Sequence, residues 1–187
     1  MKIVIFGYQQ HGKDSACEYL QSAYGLTFTS SSWYACQAFL FEQLRHSMGY
    51  ETIEQCFADR TNHRPLWYQA IRTYNDADRA RLGREIFSGH DVYCGIRDRE
   101  EFECLRAQGL FDLAIWIDAC KRKPPESSAS MNLSPDDADV ILSNNDDLTS
   151  LHRRLDCLMN RLGLFQRLCS VSKSPLEGLA AARLVEG

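Results

Sequence analysis

The chain opens with a continuous apolar, β-branched run from Lys2 to Phe6 (KIVIF) that stops at Gly7. A short run with no polar alternation predicts a strand buried on both faces, as in a parallel sheet. A polar loop, Gly7 to Gly12, follows, and Asp14 to Tyr24 then places Ala16, Cys17, Leu20 and Ala23 at helical spacing. Further along, the pattern predicts a short strand over Leu26–Thr29 and a helix N-cap among Ser30, Ser31 and Ser32. An amphipathic helix is expected over Trp33–Met48, with Ala35, Phe39, Leu40 and Leu44 among its apolar positions. The polar stretch Arg64–Phe87 reads as two helical pieces broken near Asn75 and Asp76. Val92–Gly95 reads as a third strand, Arg99–Gln108 as a helix ended by Gly109, and Leu113–Ile117 as a fourth strand. Residues 119–135 are polar, with three prolines and four serines, and read as a loop or lid. Asp139–Leu142 is a fifth strand and Leu148–Leu162 a final helix; after Gly163 the signal weakens to one short helix and a frayed tail. No internal repeat is present.

Strands alternating with helices predict an α/β fold with a five-stranded parallel sheet, and ligands in such sheets bind beyond the carboxyl ends of the strands. Gly7, Gly95 and Asp118 are all expected at such ends, around one crevice. One of these ends carries a chemical signal. Gly7-Tyr8-Gln9-Gln10-His11-Gly12-Lys13-Asp14-Ser15 fits G-x4-G-K, between a strand and a helix. Its glycines let the backbone curl around an anion, and the helix adds its partial positive N-terminus. Lys13 is expected to reach the β- and γ-phosphates of ATP, with Gly7, Gln9, Gln10, His11, Gly12, Asp14 and Ser15 completing the nucleotide site. A Ser or Thr hydroxyl usually follows the lysine and ligates Mg²⁺; here Asp14 stands there, with Ser15 next. The carboxylate can hold Mg²⁺ directly or through water, orient an acceptor hydroxyl, or simply favour the helix start.

Composition bounds the rest. The 187 residues suit one domain, 44% are apolar and 25% charged, and the net charge is −4. A duplex-binding protein usually shows a basic face, which the global count does not supply. The eight cysteines include no CxxC pair, which gives no zinc or redox motif. With no signal-peptide pattern, they are expected as reduced thiols in a cytoplasmic protein. No apolar run approaches the ~18 residues of a membrane span. The histidines show no metal-ligand spacing, and His11 is not expected to act as a nucleophile.

Other candidates carry weaker signals. Arg60, Arg64, Arg72, Arg79, Arg81 and Arg84 crowd the polar middle section, interspersed with Asp59, Asp76, Asp78 and Glu85. Most are expected on a solvated face, with Arg72 and Arg79 offered as acceptor ligands. Trp33, Trp67, Tyr68 and Tyr74 can stack on a base or belong to the core; Trp33 is the one retained as a site residue. Asp98 suits a helix N-cap as well as a role toward metal or acceptor. Lys121, Arg122 and Lys123 open the lid-like stretch and can close over phosphates or form an ordinary basic loop. Asn144 and Asn145 can touch adenine or make a turn.

The loop GYQQHGKDS resembles the G-x4-G-K-D-[ST] loop of phage deoxynucleoside monophosphate kinases. VYCGIRDREEFECLRAQGLFDLAIWIDA and DADVILSNNDDLTSL are also similar to that group, over roughly residues 1–160 as an ordered series. The segment TNHRPLWYQAIRTYNDADRARLGREIF resembles related phage P-loop kinases that phosphorylate 5-hydroxymethyluracil in DNA. The resemblance implies a nucleotide-kinase-like P-loop domain over 1–163, a helical acceptor insertion at about 50–88, a lid at about 119–135 and a tail at 164–187. It implies ATP and Mg²⁺ as cofactors, and Lys13, Asp14 and Arg97 as catalytic residues, Arg97 binding the acceptor or its charge. Glu126 resembles a recurring acid of the group. If the source is a phage, the location is the host cytoplasm. The specific acceptor expected is the hydroxymethyl group of 5-hydroxymethyluracil in DNA, toward which the wider resemblance inclines; the alternative is a free deoxynucleoside monophosphate, toward which the net charge inclines. A nucleotide-binding switch that hydrolyses ATP slowly is the alternative from another class.

Overall fold

The computed structural model describes residues 1–126 and 131–166; the expectations for 164–187 therefore fall largely, and those for 119–135 partly, outside the described residues. Five strands form one parallel sheet: β1 (Ile3–Phe6), β2 (Phe28–Ser30), β3 (Val92–Cys94), β4 (Leu113–Asp118) and β5 (Val140–Ser143), in the order β2-β3-β1-β4-β5. The β1 strand sits at the centre, with Ile5 opposite Cys94 on one side and Phe6 opposite Trp116 on the other. All four β1 residues are fully buried, which is why the sequence shows no alternation there.

Alternate residues of each strand feed two cores. Ile3, Ile5, Cys94, Ile115 and Ile117 pack under α1 (Lys13–Tyr24) and the C-terminal helix Leu148–Arg161. Val4, Phe6, Tyr93 and Trp116 pack under the helices Arg81–Gly89 and Arg99–Ala107, with Phe6 edge-on to Trp116 at 5.3 Å. Burial of side chains this large contributes roughly 1.5–3 kcal/mol each, before the entropy cost of ordering them.

Between β2 and β3 the chain makes one long excursion of helices. The helix expected over Trp33–Met48 runs as α2 (Ser31–Ala35), a π-helical segment (Cys36–Leu40) and α3 (Phe41–Met48); Ser30 Oγ caps it by accepting Trp33 N–H at 3.1 Å. A helix not anticipated from the sequence, α4 (Ile53–Asp59), follows, started by a capping box between Thr52 and Gln55. Its seven residues are too short for a periodic signal. The two pieces expected in the polar stretch are α5 (Arg64–Tyr74) and α6 (Arg81–Gly89). Ala35, Cys36, Leu40, Leu44, Cys56 and Trp67 give α2–α5 a small core of their own. After β3 come α7 (Arg99–Ala107) and, after β5, α8 (Leu148–Arg161). Among the described residues no helix is long and apolar enough to cross a membrane.

Two glycines of α6 separate packing from propensity. A Cβ on Gly83 would sit 2.5 Å from Cδ1 of the fully buried Leu105, whereas one on Gly89 would meet nothing within 4 Å. Alanine is favoured over glycine in a helix by up to ~1 kcal/mol, but overpacking a filled core costs about 1–3 kcal/mol. Gly83→Ala is therefore expected to destabilise the fold in urea titrations, and Gly89→Ala to leave it unchanged or slightly more stable. Equal effects of the two variants would contradict the α6–α7 packing.

Candidate active site

The phosphate loop is shaped by contacts from two later strand ends. After β1 the backbone turns through Gly7 at φ 143°, where a Cβ would lie 2.5 Å from the Ile117 carbonyl oxygen. Gln10 (φ 59°) and Gly12 (φ 93°) are left-handed, a conformation that curls consecutive amides into an anion-sized concavity. Asn144 Nδ2 donates to the His11 carbonyl at 2.8 Å, in the space a Gly12 side chain would need. Ala119 N–H donates to His11 Nδ1 at 2.9 Å. His11 is thus a buried wedge between loop and sheet, and burial holds its imidazole below the ordinary histidine range.

His11, Asp118 and Cys120 bring three ligand-type atoms within 4.8 Å of one another. The chemistry argues against a metal there. His11 Nδ1 already accepts a backbone N–H, so its proton belongs on Nε2, while both Asp118 oxygens accept N–H groups of Cys120 and Asn145.

Lys13 is 8% exposed, and its Nζ donates to the Tyr8 carbonyl at 2.7 Å. Burial holds this ammonium below the usual lysine range, and it forms no ion pair among the described residues. A buried cation without a carboxylate is costly; a phosphate at the loop would supply the missing charge. Asp14 stays exposed in the first turn of α1, with Cys94 Sγ 3.7 Å from one carboxylate oxygen, and Ser15 is half-buried beside it. Two neighbouring oxygen donors at the helix start suit a hard cation such as Mg²⁺.

The loop opens into a cavity of about 600 Å³, a volume that accommodates a small ligand. Gln9, Gln10, Lys13 and Asp14 of the loop line it, as do Arg60, Arg64, Arg72, Arg79 and Arg97 and aromatic side chains of the helical excursion. Three of these arginines crowd together. Arg97 donates to Glu126 Oε1 at 2.9 Å, Arg64 lies 3.6 Å from the same oxygen, and Arg60 lies over the Phe57 ring at 3.8 Å. Burial, then repulsion from Arg97, lowers the Arg64 pKa; burial also lowers that of Arg60. Glu126 Oε2 in turn accepts the Gln9 amide of the phosphate loop at 2.6 Å. The recurring acid noted in the sequence therefore joins the loop to the arginine cluster.

Beneath the cavity lies a carboxyl group that sequence reasoning passed over. Glu101 is 3% exposed, and its Oε1 accepts the Tyr93 hydroxyl at 2.8 Å. Burial pushes its pKa up to about 8. In the sequence it resembles a first-turn acid of α7. The signal that betrays it is position: four residues before the fully buried Leu105, it falls on the helix's inward face.

The remaining candidates divide. Asp98 is the N-cap of α7, accepting the Glu101 N–H at 3.2 Å, and also accepts the Tyr68 hydroxyl at 2.8 Å while lining the cavity. Arg72 and Arg79 line the cavity but are tied to Glu100, at 3.0 and 3.2 Å. Trp33 lines the cavity edge-on to Phe57, and Tyr68 lines it as well. Trp67 belongs to the helical core and also lines the cavity, whereas Tyr74 stacks on Phe39 and does not line it. Arg122 hydrogen-bonds the Asn144 carbonyl, and Lys121 donates its backbone N–H to Asn145 at 2.8 Å. Neither side chain lines the cavity.

No family model matches the chain, and no curated protein matches it. Several solved structures are similar to it. A gluconokinase from Sinorhizobium meliloti 1021 is 15% identical over 86% of this chain and 92% of its own, with a TM-score of 0.46. A shikimate kinase from Bacteroides thetaiotaomicron is 12% identical over 88% and 99%, with a TM-score of 0.49. A shikimate kinase from Aquifex aeolicus is 16% identical over 87% and 99%, with a TM-score of 0.46. The α/β P-loop fold itself is evident in the parallel sheet and in the strand, glycine loop and helix that open the chain.

Glu101 makes stability depend on pH. Its carboxyl titrates near 4.5 unfolded and near 8 folded, so between these values the folded state holds a proton that the unfolded chain has lost. Stability from this group is intact below about 4.5 and declines as pH rises toward 8, by at most ~1.4 kcal/mol per pH unit. Glu101→Gln is expected to remove that decline in urea titrations at pH 5 and pH 8 without ligand. Identical pH dependence in both proteins would refute the protonated carboxyl.

Proposed function

We propose that this chain is an ATP-dependent kinase that transfers the γ-phosphoryl group to a nucleotide-type acceptor. The observation that carries the reading is one cavity lined both by the phosphate loop with Lys13 and by five arginines outside the loop. A switch that only hydrolyses ATP needs the loop and has no use for the arginines of the helical excursion. In this reading α4, α5 and α6 form the acceptor-binding insertion.

The loop amides and Lys13 hold the ATP phosphates, and Lys13 neutralises charge that grows on the transferring group. Asp14 and Ser15 would hold Mg²⁺, which when bound shields the phosphate oxygens. Transfer is in line: an acceptor oxygen forms a bond to Pγ as the bond from Pγ to the bridging oxygen breaks, and ADP leaves with that electron pair. A hydroxyl acceptor also gives up its proton, for which Asp14 is the nearest carboxylate to Lys13 in sequence. Arg97 and Arg64 bind phosphate oxygens of the acceptor, taking the place of Glu126.

Two arginines sharing Glu126 favour an acceptor that brings its own phosphate, such as a free deoxynucleoside monophosphate. The sequence resemblance around Asn62–Tyr68 favours 5-hydroxymethyluracil in DNA instead. Both acceptors present a nucleotide to the same wall.

Radiolabelled ATP with Mg²⁺, offered the four deoxynucleoside monophosphates, plain DNA and 5-hydroxymethyluracil DNA, discriminates these readings. Label is expected in a monophosphate or in the modified DNA, and Lys13→Ala should lower transfer by about 100-fold or more. ATP consumption with no labelled acceptor would replace the kinase by a hydrolase, and full transfer by Lys13→Ala would sink the role given to the loop.

A further inference from the structure

The cavity wall has a charged part that suits phosphate and an uncharged part with no role in phosphate chemistry. Glu101 belongs to the second. It lines the cavity together with Tyr93, Asn75, Ile71 and Trp67, on the far side of Asp98 from the phosphate loop in sequence. Its side chain accepts one hydrogen bond among the described residues, from Tyr93 to Oε1. The second oxygen has no such partner and does not count among the buried polar atoms left unsatisfied, so it reaches the open cavity. Asn75 is built the same way: 2% exposed, its Oδ1 fixed by the Leu82 N–H at 3.0 Å, its amide nitrogen without a partner among the described residues. Buried polar groups are normally satisfied. Both side chains line the same cavity, and each keeps one polar atom without a partner among the described residues, where a ligand can engage it.

We propose that Glu101 is a specificity-determining residue of the acceptor pocket, donating a hydrogen bond to an acceptor atom, a carbonyl oxygen or ring nitrogen, on the edge of a nucleobase. The assignment rests on the kinase reading above and specifies its substrate side. A carboxylate in this position would repel the phosphate of the same ligand, and among the described residues no arginine forms an ion pair with Glu101. The titratable groups around it are Tyr93 on β3 and Asp98 on its own helix; Tyr68 and Arg72 of α5 engage Asp98, not Glu101. Arg72 is closer in charge terms to Asp98 and Glu100, which leaves Glu101 to be settled by burial. The protonated form keeps the Tyr93 hydrogen bond on Oε1 and offers an O–H from the other oxygen. A further donor from Asn75 in the same cavity would complement an edge rich in acceptor atoms.

The decisive variant is Glu101→Gln, which preserves volume, the Tyr93 contact and a donor, but cannot ionise. The probes are the 5′-monophosphates of deoxyadenosine, deoxycytidine, deoxyguanosine, thymidine and 5-hydroxymethyldeoxyuridine, titrated calorimetrically with saturating ADP at pH 6.5 and pH 9. In the unmodified protein the preferred monophosphate is expected to bind about tenfold more weakly at pH 9. Glu101→Gln should bind it at both pH values with a loss well under tenfold, and Glu101→Leu should flatten the preference among bases at both. The monophosphate's own titration is common to all proteins and cancels in the comparison. The same pH dependence in Glu101→Gln as in the parent would overturn the proposal even if Glu101→Leu fails to fold, and so would an unchanged base preference in a folded Glu101→Leu. A protein that binds ATP but none of the probes also overturns it, while leaving the phosphate loop's role intact; failure to bind ATP removes the kinase reading on which it rests.

Discussion

The structure turns on a close approach between two backbones. Gly7 passes so near the Ile117 carbonyl that no side chain fits, and this contact brings the loop after β1 against the end of β4. Everything the loop offers follows from that proximity. His11 can reach the Ala119 amide because the loop lies on β4, and Asn144 can reach the His11 carbonyl because β5 runs beside β4. A concavity of backbone amides is not stable by itself, since its curled backbone forgoes regular hydrogen bonding. Here a backbone amide, Ala119 N–H, and a side chain, Asn144, each more than a hundred residues away in sequence, hold the curl before any ligand arrives. Such preorganisation lets the site act on charge without first rearranging.

The second constraint is an excess of cations in a partly buried place. Lys13, Arg60, Arg64 and Arg97 converge on the cavity, against the carboxylates of Asp14 and Glu126. Repulsion among the arginines is felt in the lowered pKa of Arg64. Glu126 relieves it by binding Arg97, Arg64 and the Gln9 amide together, using both carboxylate oxygens. That set of partners, a loop amide plus two guanidinium groups, is also what a phosphoryl group would seek. The carboxylate thus occupies, among the described residues, the place between loop and guanidinium groups that an anionic ligand would compete for.

Much of this was legible in the sequence. The unbroken apolar runs gave the strands because burial on both faces removes alternation, and the glycine-lysine spacing located the loop because few other uses demand that pattern. The expected break near Asn75 and Asp76 separates α5 from α6 as anticipated. What stayed hidden depends on contacts between distant residues. The short α4 is defined by its capping box and by burial of Cys56, neither of which makes a period. The arginines of the polar section looked alike, yet Arg72 and Arg79 found Glu100, Arg64 found Glu126 and Arg81 and Arg84 found acids on the outer surface. Sequence proximity cannot sort them, because three of these partners lie on other elements. Asn144 read as either a base contact or a turn, and it is a clamp on the phosphate loop.

Asp98 shows why the two readings of a residue need not compete. As N-cap it fixes the first turn of α7 by accepting the Glu101 N–H, and so sets where Glu101 stands. Its other oxygen accepts Tyr68 and Arg72, and so sets where α5 lies over the cavity. A capping residue is usually worth about 1 kcal/mol of helix stability, and a partly exposed ion pair less than that. Neither energy accounts for a 7% exposed carboxylate at the mouth of a cavity. The placement is explained by geometry: one side chain couples the helix that carries Glu101 to the helix that roofs the pocket. Motion of α5 would have to strain the cap of α7 or break the Tyr68 and Arg72 contacts, so these two parts of the cavity lining are mechanically joined at Asp98.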